Sequence, residues 1–97
     1  MPKAYWVNAY HEIYDEQKLA DYAKIAGPAV IAAGGKFLVR GPATKAYEAG
    51  TVQRTTVIEF DSLRAAIAAH ETPEYQRALK VLEGGVKRDS RIVEGVE

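Results

Sequence analysis

Between Val52 and Asp61 the chain reads V-Q-R-T-T-V-I-E-F-D. Its β-branched and aromatic residues predict a strand at the centre of the fold. Two polar residues interrupt the apolar pattern: Arg54 and Glu59 lie five positions apart, which in an extended chain sets them on opposite faces. One face of this strand is therefore expected to meet something other than apolar core.

The same alternation predicts a first strand over Ala4 to Tyr10, A-Y-W-V-N-A-Y, with Tyr5, Val7 and Ala9 on one face and Trp6, Asn8 and Tyr10 on the other. The second set suits a pocket wall, and equally a core tryptophan beside an asparagine at a strand edge. From Glu16 the period changes. Leu19, Tyr22, Ala26, Ala29, Val30 and Ala33 form a helical stripe behind an Asp15 cap. Gly27-Pro28 predicts a bend in that helix, because an internal proline removes a backbone hydrogen bond. Gly34-Gly35 ends it. A short strand over Lys36 to Arg40 stops at Gly41-Pro42, and Ala43 to Gly50 connects to the central strand.

Asp61 or Ser62 caps a second helix whose apolar side is Leu63, Ala66, Ile67 and His70. Thr72-Pro73-Glu74 restarts helix with an N-cap threonine, a first-turn proline and an acid favoured by the helix dipole. Tyr75, Ala78, Leu79 and Leu82 follow, Gly84-Gly85 stops the helix, and Arg91 to Val96 is the last strand. The order is βαββαβ with the second helix split in two, the pattern of an α+β ferredoxin-like fold: a four-stranded antiparallel sheet with helices on one face. That arrangement leaves the other face bare. With Trp6, Leu38 and Val57 assigned to it, pairing of two copies about a two-fold axis is the expected cover.

Composition narrows the function. Ninety-seven residues make one domain, 1–97. The 13 basic and 13 acidic side chains cancel, which argues against nucleic acid and anionic membranes as partners. Without cysteine there are no disulfides, thiolate metal sites or cysteine nucleophiles. The longest uncharged stretch, Ile25 to Gly35, is too short and too broken to span a bilayer, and Met-Pro-Lys leads into strand rather than an export signal. A cytoplasmic protein is expected.

The segments A-Y-W-V (4–7), A-G-G-K-F-L-V-R-G (33–41), V-I-E-F-D-S (57–62), T-P-E-Y-Q (72–76) and I-V-E-G-V (92–96) together resemble the domain of unknown function 1330 family, within the dimeric α/β-barrel superfamily. The resemblance spans nearly the whole chain. It implies a ferredoxin-like subunit that dimerises through its sheet and holds a cleft between sheet and helices. Superfamily relatives include cofactor-free monooxygenases, lactone isomerases and haem-dependent enzymes, so the fold does not dictate the activity. Two positions depart from the family pattern. His70 stands where an aromatic residue is usual, which bears on the pocket, and Gly84-Gly85 replaces helix formers, which bears on the length of the last helix.

Candidate chemistry centres on His70, Glu59 and Tyr75 as catalytic groups, with Trp6, Asn8, Arg40 and Arg54 as ligand-binding groups. A histidine beside a carboxylate is the minimum for general acid–base work, Tyr75 can hydrogen-bond a substrate oxygen, and an arginine can clamp a carboxylate. The competing reading pairs Glu59 with Arg54, Arg40 or Arg91, in the sheet or across the dimer, and leaves His70 to cap or pack a helix end. No metal is expected, since His11 and His70 lack ligand spacing, and no cofactor, since no phosphate-binding loop is present. Two functions follow: a homodimer with an organic-acid or aromatic site in each cleft and cofactor-independent acid–base chemistry, or a non-catalytic homodimeric binding or scaffold protein.

Overall fold

A computed structural model describes residues 2–96. The strands are β1 (Ala4–Ile13), β2 (Lys36–Pro42), β3 (Arg54–Phe60) and β4 (Val86–Glu94); the helices are α1 (Glu16–Ala32), α2 (Leu63–His70) and α3 (Pro73–Leu82). Each helix starts where its sequence provides a cap. The Asp15 carboxylate accepts from the backbone of Gln17 and Lys18, the Ser62 hydroxyl from Ala65, and the Thr72 hydroxyl from Tyr75. α1 runs unbroken through Pro28, and α3 closes before Gly84, whose φ of 78° takes the chain out of the helix.

Several strand boundaries differ from the sequence expectation: β3 is shorter than Val52 to Asp61 at both ends, and β4 stops at Glu94, short of Val96. β1 continues past Tyr10 to Ile13, and β4 begins at Val86 rather than Arg91, because these two ends pair with each other across a bulge between Tyr10 and Glu12. Their polar, outward residues hid the alternation. β2 continues through Gly41 to Pro42, which a sheet edge tolerates because the missing N–H is not needed there.

The sheet order is β2-β3-β1-β4, all neighbours antiparallel. In this ferredoxin-like arrangement the helix-covered face carries Trp6 opposite Ile58, Asn8 opposite Thr56, and Tyr10 opposite Arg88. The expectation that Trp6 lies on the bare face with Val57 is thereby corrected. Trp6 is buried in the core with Leu19, Val30, Phe60 and Leu82, and the bare face carries Tyr5, Val7, Ala9, Val57, Glu59 and Val93. α2 is likewise turned from its expected stripe: Ala66 and Ala69 are buried, while Ile67 faces out. Two alanines let α2 approach the sheet closely.

Gly35, just beyond α1, meets the core tightly. A Cβ there would stand 2.7–2.9 Å from side-chain atoms of Val30, Phe60 and Ile58. Gly35→Ala is expected to cost about 1–3 kcal/mol through overpacking, read as a lower urea midpoint with an unchanged slope. An unchanged midpoint would show that the helix–strand junction relaxes freely.

Candidate functional site

Between α1 and the covered sheet face lies a narrow cleft with about 20 Å³ of room for the centre of a water-sized molecule, so a larger ligand enters only as its walls give way. Trp6, Tyr10, Tyr22, Phe37 and Tyr75 supply its aromatic walls, and Arg40, Arg54, Asn8 and Thr56 its polar groups. An apolar cleft with a few convergent polar groups is the general form of a small-molecule site.

Arg40 enters by a backbone irregularity. Strict alternation from inward Phe37 would turn Arg40 outward, but the β2–β3 register shifts at Leu38, so Phe37 pairs with Ile58 and Arg40 with the buried Thr56. The Arg40 guanidinium then lies 4.1 Å from the centre of the Phe37 ring and beside Gly27 of α1. Gly27 leaves the space that a larger residue would take from it.

Asn8 Nδ2 donates to Thr56 Oγ1 at 3.0 Å, while Asn8 Oδ1 is buried without a partner. The threonine hydroxyl can donate or accept, so turning the amide round would still leave one amide atom unpaired. The Arg54 Nε is also buried and unpaired. Neither Arg40 nor Arg54 forms an ion pair among the described residues. Buried polar groups are usually satisfied, so two orphans bordering one cleft mark it as a place for a ligand's polar atoms.

Tyrosines and a third arginine close one end. Arg88 donates from Nη1 to Tyr10 Oη at 2.9 Å and Tyr22 Oη at 3.2 Å, and from Nη2 to Tyr75 Oη at 3.1 Å. The Tyr22 and Tyr75 hydroxyls share a hydrogen bond of 2.8 Å. Burial pushes the phenols of Tyr10 and Tyr75 above the ordinary tyrosine range, although Arg88 pulls the other way. Both stay protonated at neutral pH and act as donors rather than bases.

Two expected members stand outside the cleft. Glu59 projects from the bare face, where it pairs with Lys3 at 3.2 Å, so among the described residues of the subunit it forms neither a dyad with His70 nor a pair with an arginine. His70 packs behind Trp6 and Tyr75, its ring centre 5.2 Å from each, and its Nδ1 pairs with Glu71 at 2.8 Å beside a separate surface groove. Arg91 pairs with Asp89. Trp6, Asn8, Arg40, Arg54 and Tyr75 do share the cleft.

Residues 3–96 match the family described as Domain of unknown function (DUF1330). The chain belongs to that family. No curated protein matches the sequence. RPA0582, a protein of unknown function from Rhodopseudomonas palustris, superposes with a TM-score of 0.77 at 16% identity, over 99% of this chain and 84% of its own. A dimeric ferredoxin-like protein of unknown function from Thermobifida fusca gives 0.66 at 13%, over 97% and 92%. SnoaB, a cofactor-independent oxygenase from Streptomyces nogalater, gives 0.64 at 11%, over 100% and 96%. At such identities the likeness establishes the fold alone.

In this DUF1330 chain no carboxylate or imidazole among the described residues lines the cleft. Apart from the Asn8 amide and the Thr56 hydroxyl, its polar groups are donors and cations: it can hold and polarise an anion, and among the described residues it places no base against a substrate proton. Sequence reasoning missed Arg88 and the partnership of Tyr10 and Tyr22 with it. The signal was the spacing of Val86, Arg88 and Ser90, alternate positions on one strand face, obscured by Lys87 and Asp89 between them. No helix among the described residues is long and apolar enough to cross a membrane.

Proposed function

We propose that this protein is a cytoplasmic homodimer that binds a small organic anion with an apolar or aromatic body in the cleft of each subunit. The carrying observation is that Arg40 and Arg54 reach one aromatic-walled cleft with no acidic partner among the described residues. A planar guanidinium matches a carboxylate in shape and charge, and a poorly solvated one gains most from it. The bare apolar sheet face and the dimeric Thermobifida fusca neighbour support pairing of two copies. General acid–base catalysis by Glu59 and His70 is not part of this reading, since both lie away from the cleft.

The test is calorimetric titration with benzoate and phenylacetate against their uncharged amides. The acids are expected to bind and the amides not. Arg54→Ala and the solvent-facing Arg40→Ala should each weaken acid binding about 10- to 100-fold, the worth of a charge-assisted hydrogen bond. Equal binding of acid and amide, or none by either acid, overturns the proposal. The same donors would also stabilise a substrate enolate or phenolate, so cofactor-independent oxygen chemistry of the kind named for SnoaB is the second reading. It requires oxygen uptake with a bound phenol or enol.

A further inference from the structure

The tyrosine end of the cleft has more hydrogen-bond donors than acceptors. A guanidinium only donates, so Arg88 uses the hydroxyl oxygens of Tyr10, Tyr22 and Tyr75 as acceptors. Each phenol keeps its own proton to give. One is taken up between Tyr22 and Tyr75. The proton of Tyr10, and that of whichever of Tyr22 and Tyr75 accepts, have no acceptor among the described residues. All three side chains are more than nine-tenths buried and all three border the cleft. Behind them Arg88 carries a positive charge with no acidic side chain in ion-pair range among the described residues.

Arg54 is close enough to Tyr10 to act on its phenol electrostatically, so the two donor groups belong to one space. Their requirements differ. Arg40 and Arg54 offer guanidinium groups at the walls, whereas Tyr10 and the Tyr22–Tyr75 pair offer hydroxyl protons backed by a buried cation. Among the described residues three arginines meet no acid in or behind the cleft, an imbalance that one carboxylate leaves unanswered.

From this donor surplus we infer that the ligand is a dianion, a small dicarboxylate whose first acid faces Arg40 and Arg54 and whose second accepts from the Tyr10 hydroxyl and the Tyr22–Tyr75 pair. The inference rests on the proposed function and sharpens it: Tyr10 and Arg88 become the residues that select a second negative oxygen group. Arg88 acts through the phenols it holds and is a positioning residue.

The experiment titrates benzoate, phthalate, isophthalate and terephthalate into the wild-type protein, Tyr10→Phe and Tyr75→Phe, with far-UV circular dichroism as the check on folding. At least one diacid isomer is expected to bind about tenfold or more tightly than benzoate, the gain from a second charge-assisted contact. Tyr10→Phe should erase that advantage, so that in this variant no diacid binds more tightly than benzoate, a split that general loss of packing would not produce. Tyr75→Phe, which keeps the ring against Trp6, should reduce the advantage in the same way. If benzoate binds and no diacid binds better, the dianion inference fails while the anion site stands. An advantage that survives Tyr10→Phe, or benzoate affinity lost in Tyr10→Phe and retained in Arg54→Ala, also overturns it. No binding by any of the four acids overturns both.

Discussion

Trp6→Ala is expected to remove about 3–5 kcal/mol of folding stability, the usual cost of emptying a large buried aromatic site. That is a large part of the total of about 5–15 kcal/mol that holds a domain folded. Trp6 is 1% exposed. Its ring stands edge-on to Tyr75 at 4.8 Å between centres and tilted to His70 at 5.2 Å, and its Nε1 donates to Ser90 Oγ at 2.9 Å. It ties β1 to β4 and carries the end of α2 and the start of α3 on its faces. It is also the wall shared by the cleft and the His70 groove, so its removal would open one into the other. Trp6→Phe keeps a ring and loses the bond to Ser90, and should cost less. Urea unfolding followed by circular dichroism measures both. A loss for the alanine variant below about 1.5 kcal/mol would show that the layers hold without this residue.

Val57→Arg is expected to convert a dimer into folded monomers. Val57 sits on β3 opposite Val7 of β1 and Val39 of β2, in the middle of the bare face, where Leu38, Val39 and Val93 are each about half exposed. In a lone subunit the arginine would lay its stem along neighbouring apolar groups and keep its charge in water. Against a second copy the same charge would be buried, and two-fold symmetry would bury it twice, at several kcal/mol for each ion. Light scattering should report a mass falling from two chains to one while far-UV circular dichroism is unchanged. A wild-type protein that scatters as one chain, or a variant that still scatters as two, would remove the sheet face as the pairing surface.

Much of this architecture is legible locally. Asp15, Ser62 and Thr72 cap their helices with their own side chains, using backbone donors two or three residues away. Tyr22, Ala26 and Val30 share a helix face because the helical period brings them there, and Trp6, Asn8 and Tyr10 share a strand face for the equivalent reason. The aromatic wall of the cleft was therefore visible before its opposite wall was. Glu59 shows the limit of such reading. Alternation separates it from Arg54, but only the assembled sheet shows that its face is the bare one, out of reach of His70.

The sequence by itself determined the order of elements, the helix starts, the βαββαβ pattern and which residues of β1 travel together, because each depends on contacts within a few positions of the chain. The tertiary structure alone decided that a shift at Leu38 turns Arg40 into the cleft, that β1 and β4 extend each other, and that Arg88 gathers Tyr10, Tyr22 and Tyr75 from three elements. Those outcomes depend on how strands are registered and which face the helices cover. Register and coverage are settled by packing between segments distant in sequence, and no local pattern records that packing.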